Sequence, residues 1–148
     1  MAVEINALKK KNSLSKVYIK ALDSLGVKSV VDADGDVVFK SLGSNDSTLI
    51  AIIEADHKEF LRIAHPRVYK VDSPEVEIKA LRACNWANRE TKVAKLYVSE
   101  GGTSVWAAYE VHMPEFDLAR VKEQLRIAMV VIEAIVEQFA EAIQGSLK

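Results

Sequence analysis

The sequence predicts a single α+β domain in which an antiparallel sheet packs against helices. Three observations lead to this class: apolar stripes at helical spacing near both ends of the chain, an Asp-Gly turn between β-branched runs, and two later strands joined by a glycine loop. The predicted order is helix, strands, helix, two strands and a long helix. A chain of 148 residues can bury roughly two-thirds of the surface of its unfolded form, so it needs no metal or disulfide to fold.

The first helix is predicted over residues 14–25. Ser13 is a good N-cap residue, and Gly26 supplies the left-handed conformation that ends many helices. Residues 1–12 are accordingly predicted to be an N-terminal tail, and residues 13–148 to be the single domain. The apolar stripe of this helix consists of Leu14, Val17, Tyr18, Ala21, Leu22 and Leu25.

A β-rich stretch follows this helix. Asp34-Gly35 stands between two β-branched runs, which predicts a hairpin whose type I′ turn has positive φ at both central residues. The apolar run of residues 49–53 predicts a strand buried on both faces, and residues 60–64 predict another strand. Pro66 is expected to break that strand or to confine it to a sheet edge.

The second helix is predicted to begin at Ser73-Pro74-Glu75 and to end near Thr91. Ser is a favourable N-cap, Pro is tolerated in the first turn, and an acid there complements the helix dipole. Strands are then predicted over residues 94–98 and 105–113, joined by a glycine loop. The apolar face of the helix consists of Val76, Ala80, Ala83, Cys84 and Ala87.

The last helix is predicted over residues 117–143 and is apolar on more than one side. A second apolar face lies beside its main stripe, which is typical of a helix that is buried on more than one side. This excess predicts a symmetric homodimer with part of this helix or the strand beside it at the interface. The alternative is that the tail or the first helix covers the second face within one subunit. The predicted interface residues are Ala128, Val131, Ile135 and Ala142.

Composition and charge argue against several classes of function. The net charge of −1 lacks the basic excess of a nucleic-acid-binding protein, and Lys9 to Lys11 are interpreted as a solvated tail. No run of the sequence reaches the ~18–20 apolar residues of a membrane span. The single cysteine, Cys84, fits a reducing compartment, so we expect a cytoplasmic protein that binds neither nucleic acid nor membrane.

Motifs for catalysis or cofactor binding are not found in the sequence. Asp32, Asp34 and Asp36 flank a glycine, but their spacing does not match a calcium loop, and a hairpin turn explains them. There is no nucleophile elbow and no phosphate-binding loop. Cys84 lies on an apolar helix face, where a cysteine behaves as a small hydrophobe. We therefore expect no catalytic residue, no metal site and no cofactor.

Two asparagines are placed inside the second helix, although Asn is a mediocre helix former. Asn88 is expected to help end the helix by bonding to terminal backbone groups. Asn85 lies off the apolar stripe and is expected to bond a neighbouring loop or strand.

Part of the chain resembles the YbjN-like family of small bacterial proteins. The resemblance is carried by ALRACNWANR over residues 80–89 and by KVAKLYV over residues 92–98. The resemblance extends over residues 14–143 and includes the helix ending Leu25-Gly26, the Asp-Gly hairpin and the strand with Phe60-Leu61-Arg62. That family is similar in fold to the type III secretion chaperones, which are commonly dimers. Those chaperones tend to be clearly acidic, whereas this chain is close to neutral.

The resemblance implies a non-enzymatic protein that binds another protein as a chaperone-like or regulatory adaptor. An apolar sheet or helix surface would hold a segment of the partner. Trp106, Tyr97 and Phe60 are candidate contact residues, and the favoured alternative for each is a place in the core. The alternative is a sensor of a small molecule or metal, with His57, Asp56, Glu59 or His112 near a pocket. These two interpretations stay open at the level of the sequence.

Overall fold

The computed structural model describes residues 1–43 and 46–146 and contains one six-stranded antiparallel sheet with three helices against it. The strands lie in the order β1-β2-β3-β4-β6-β5. This confirms the predicted α+β class and the predicted order of elements. The elements are α1 (Ala2–Ser24), β1 (Ser29–Val31), β2 (Val37–Lys40), β3 (Thr48–Ile52), β4 (Phe60–Lys70), α2 (Pro74–Glu90), β5 (Ala94–Val98), β6 (Ser104–His112) and α3 (Leu118–Glu141), followed by a π-helical turn over Ala142–Ser146.

All three helices contribute to one core on one face of the sheet. Strand residues alternate in direction, and the alternate set that includes Phe39, Leu61, Ile63 and Ala107 is buried in this core. The strands β1 to β4 follow one another as a meander. The helix α2 then carries the chain past the β4 edge, so β6 pairs with β4 and leaves β5 at the outside.

The helix α1 begins at Ala2, so its predicted start at residue 14 is wrong. Residues 2–12 are rich in Ala, Leu, Glu and Lys, which favour helix, and Ser13 is an interior position of the helix. Residues 2–10 are exposed, but Lys11 is not a solvated tail residue, because its Nζ lies 3.0 Å from Asp36 Oδ1. The helix ends as predicted: Gly26 has a φ of +75°, and Val27 N–H donates to Leu22 O.

The Asp-Gly hairpin is confirmed, but its predicted type I′ turn is wrong. Only Gly35 has a positive φ, of +82°, and Asp34 does not. The Asp32 carboxylate accepts hydrogen bonds of 2.9 Å from the N–H groups of both Asp34 and Asp36. An aspartate that bonds the backbone in this way stabilises an ordinary turn followed by one left-handed glycine, so a second left-handed residue is unnecessary.

Two predictions about strands need correction. β4 continues for four residues past Pro66, because the proline lies at an irregularity between His65 and Tyr69, where Arg67 has a φ of +53°. A bulge leaves a residue unpaired and therefore tolerates proline. β3 is not buried on both faces: Leu49 and Ala51 are buried, whereas its other face is half-exposed.

The helices α2 and α3 begin where the sequence predicted. The Ser73 side chain accepts a hydrogen bond from Val76 N–H at 3.2 Å, and the Asp117 side chain accepts one from Arg120 N–H at 2.8 Å. In the described part of the chain, no helix has the length and apolar character needed to cross a membrane.

Candidate functional site

The sheet face opposite the helices, here called the open face, is not covered by any described element. The register of the strands carries its residues from one edge of the sheet to the other. Apart from the small residues Ala64 and Ala108, these side chains are exposed or half-exposed, and none of them belongs to the core cluster. The open face includes Val30, Val38, Lys40, Thr48, Ile50, Ile52, Phe60, Arg62, Ala64, Lys95, Tyr97, Trp106, Ala108, Glu110 and His112.

The centre of the open face is an ion-pair network. Glu110 accepts from Arg62 Nε at 2.7 Å and from Lys95 Nζ at 3.0 Å, and Arg62 also lies 3.6 Å from Glu54. Burial raises the pKa of Glu110, but the hydrogen bond from Lys95 and the charge of Arg62 outweigh it, so the net pKa is lowered. These exposed pairs contribute little stability. Their effect is to keep the middle of the open face polar.

The three aromatic residues predicted as partner contacts all lie on the open face, where Tyr97 and Trp106 are cross-strand neighbours and Phe60 lies on β4. Phe60 is 53% exposed and packs on His112 with 5.0 Å between ring centroids. Tyr97 is 38% exposed and is the register partner of the half-buried Trp106. The Trp106 indole donates to Ser104 Oγ at 3.1 Å. Their role as contacts stays a prediction.

The predicted interface residues lie inside the subunit. Ala128, Ile135 and Ala142 are at most 1% exposed, and Val131 is half-buried against the same core. The helix α1 packs along α3, which is the alternative that the sequence left open for covering the second apolar face. Ala128, Ile135 and Ala142 therefore expose almost no surface, whereas Val131 is partly exposed, and the role of these four residues at an interface stays a prediction. Self-association itself stays a prediction.

The candidate sensor residues lie near one end of β4. His57 and Glu59 approach to 3.7 Å in an exposed turn beside Asp56, and His112 is the register partner of Phe60, on which its ring packs. Within residues 1–43 and 46–146, no group of three His, Cys, Asp or Glu residues could hold a metal ion.

The thiol of Cys84 has an apolar environment. Cys84 is buried in the core on the inner face of α2. Burial raises the pKa of this thiol to about 11, which outweighs the lowering effect of a backbone hydrogen bond. A thiol that stays protonated at neutral pH is a poor nucleophile.

The two outer strands of the sheet differ in a way that sequence reasoning missed. β1 has exposed side chains, with Val30 65% and Val31 44% exposed, and it pairs only with β2. β5 is bonded by α2: the side chain of Asn88 bonds both backbone groups of Leu96. The predicted roles of the asparagines were thus wrong, because Asn88 binds the strand while Asn85 is exposed. The free edge at β1 could have been inferred from the sequence, because the first strand of a meander has a neighbour on one side only.

Comparison with known proteins gives a family and a set of similar folds. The family described as T3SS (YopN, CesT) and YbjN peptide-binding chaperone 1 matches residues 13–148. No curated protein sequence matches the chain.

Three solved structures are similar in fold. YbjN from E. coli has a TM-score of 0.58 at 12% identity, over 82% of this chain and 88% of that chain. An uncharacterized protein from Methanothermobacter thermautotrophicus has a TM-score of 0.55 at 16% identity, over 84% and 92% of the two chains. The HopA1-SchA chaperone-effector complex has a TM-score of 0.55 at 14% identity, over 88% and 95%. Taken with the match over residues 13–148, the chain belongs to the family of type III secretion and YbjN peptide-binding chaperones.

Proposed function

We propose that this protein is a non-enzymatic protein-binding module that adds an extended segment of another polypeptide to the free edge of β1. The observation that carries the proposal is the difference between the two edges, of which only β1 presents an unbonded strand with exposed apolar side chains. Membership in a family of peptide-binding chaperones supports it. Strand addition is one of the common modes of peptide recognition.

The backbone of β1 has the geometry that strand addition requires. Asp32 N–H donates to Asp36 O at 2.9 Å, and bonding alternates along an antiparallel pair. The backbone groups of Val30 therefore face β2, whereas those of Ser29 and Val31 face outward. β1 contains no Lys or Pro and no bulge, which are the usual means of blocking an edge.

The side chains beside β1 would provide most of the affinity, because a three-residue strand offers few backbone bonds. Val30, Val38 and Ile50 form one row across β1, β2 and β3 on the open face. An added segment with alternating apolar residues would extend this row by one strand. Phe60, Trp106 and Tyr97 lie on β4, β6 and β5, away from the β1 edge, so they would contact the partner only where its chain crosses the open face.

A proline at position 31 gives a sharp test. Val31→Pro removes an outward N–H that β2 does not use, so the fold should tolerate it, whereas Val31→Ala keeps that donor. Peptides selected from a random display library on the wild-type protein serve as probes. We expect Val31→Pro to bind them about tenfold more weakly than Val31→Ala, which corresponds to one backbone hydrogen bond. Equal binding by the two folded variants would exclude strand addition at β1.

Dimer formation is a second part of the proposal and is independent of the first. The first turns of α1 project Val3, Ile5 and Leu8 into solvent, and uncovered apolar residues of this kind favour contact with another chain. The molar mass of the protein in solution, measured over a range of concentrations, tests it. A monomer at every concentration would contradict it.

A further inference from the structure

The side chain of Asn88 imitates one residue of a neighbouring strand. Its Oδ1 accepts from Leu96 N–H at 2.7 Å, and its Nδ2 donates to Leu96 O at 3.0 Å. A carboxamide carries the same donor and acceptor as a peptide group. Asn88 therefore occupies the two backbone groups through which a strand added to β5 would first bond.

Apart from Leu96, the β5 edge does not have two successive outward-facing residues whose backbone N–H and C=O groups are both free. Ser99 N–H donates to Ser104 O, so by alternation Ala94, Leu96 and Val98 point their backbone groups away from β6. Ala94 N–H already donates to Lys92 O at 2.8 Å, within its own turn. A strand needs successive outward residues to form a ladder, and only Val98 keeps both of its groups free of α2 and of this turn.

The connection between α2 and β5 holds Asn88 in place at a conformational cost. The chain turns within three residues after the helix, and Val93 takes a φ of +60° there. This conformation is rare for a β-branched residue. The tight turn brings the last helical turn alongside β5, which puts Asn88 opposite Leu96.

We propose that Asn88 is a specificity-determining residue that closes the β5 edge, so that a segment adds at β1 alone and one segment binds per chain. The claim that the β5 edge is closed depends only on the contacts of Asn88. The claim that the segment binds at β1 rests on the proposed function. Without Asn88, β5 becomes an exposed edge of the kind that pairs with a second copy of the same chain.

The test compares Asn88→Ala with Asn85→Ala, which changes the same residue type at an exposed position of the same helix. We expect amide exchange at Leu96 to become about tenfold faster in Asn88→Ala only, because the hydrogen bond that Leu96 N–H donates to Asn88 Oδ1 is lost. We also expect concentration-dependent association of Asn88→Ala in sedimentation experiments. Adding Val98→Pro, which removes the remaining outward N–H, should reverse that association. A folded Asn88→Ala that associates no more than Asn85→Ala would overturn the proposal.

A measurement on the wild-type protein separates this proposal from the proposed function. With a display-selected peptide bound, the amide of Val31 should become protected while that of Val98 stays unchanged, at one peptide per chain. Protection of Val98, or two peptides per chain, would overturn the closing of β5 even if Asn88→Ala does not fold. If Val31 stays unprotected and Val98 is also unchanged, the proposed function at β1 is contradicted. The closing of β5 by Asn88 is then judged from the Asn88→Ala experiment alone.

Discussion

Val93 is the residue whose replacement best tests the geometry of the α2–β5 turn. It has a φ of +60° and is 66% exposed. Val93→Gly removes the Cβ that makes this conformation unfavourable, and Val93→Ala keeps the Cβ while removing the same methyl groups. Val30 is a matched control, because it is 65% exposed and is not among the residues with positive φ.

The expected magnitude follows from the two opposing effects of glycine. A Cβ in the left-handed region costs about 1–2 kcal/mol, and glycine loses about 0.5–1 kcal/mol more conformational entropy on folding than alanine. Val93→Gly should therefore be more stable than Val93→Ala by about 0.5–1 kcal/mol. At position 30 only the entropy matters, so Val30→Gly should be less stable than Val30→Ala by about 0.5–1 kcal/mol.

Urea and thermal unfolding of the four variants measure both differences. For a chain of this length 1 kcal/mol shifts Tm by about 2–4 °C, so the two glycine-minus-alanine differences should have opposite signs and be separable. The same sign at both positions would show that Val93 is not held in the left-handed conformation. It would also remove the turn geometry that brings Asn88 to β5.

Two further predictions concern Gly35 and Cys84. Gly35→Ala should destabilise the protein more than Gly101→Ala. Both glycines have positive φ, but only at Gly35 would a Cβ come 3.1 Å from Lys11 Cε. Equal losses of unfolding free energy in the two variants would refute that contact. Because burial raises the pKa of the Cys84 thiol, the unfolded chain loses this proton first. The stabilising contribution of the buried thiol is therefore complete below the ordinary pKa of 9.0 and is lost as pH rises through about 11. We expect the thiol to react with a thiol reagent at pH 8 only at the rate of unfolding, and fast labelling of the folded protein would contradict its burial.

Local signals in the sequence identified the end of α1, the starts of α2 and α3, the hairpin, the glycine loop and the order of elements, but not the start of α1. They did so because caps and turns depend on a few neighbouring residues: Ser73 and Gly26 act on backbone groups within five positions. The type I′ prediction failed because it considered only the Asp-Gly pair. The Asp32 side chain accepts hydrogen bonds from two N–H groups of its own loop, and these bonds stabilise a different turn. A turn residue outside the Asp-Gly pair decided the turn type.

The candidate site depends on contacts between distant parts of the chain, which a single sequence does not reveal. Nothing in the pattern of α3 shows whether α1 or a second chain covers Ala128 and Ile135, since both arrangements need the same apolar face. Asn85 and Asn88 differ only in which one meets Leu96 after α2 and β5 are packed. The sequence predicted the open face only through the alternation of side chains along β6. Which face of the sheet is covered depends on how all three helices pack together, and local patterns do not reveal that packing.

The late position of β6 in the chain affects how the protein is made. His112 is the partner of Phe60 and follows it by roughly 50 residues, which at ribosomal rates of 5–20 residues per second is about 3–10 s of synthesis. For most of that interval β4 has been synthesised to its end at Lys70, while the side that will receive β6 has no strand beside it. The irregularity at Pro66 and Arg67 interrupts this side in its middle, and an interrupted edge is a poor template for a neighbouring nascent chain. We therefore expect the irregularity in β4 to disfavour pairing of this strand with another chain before β6 is made.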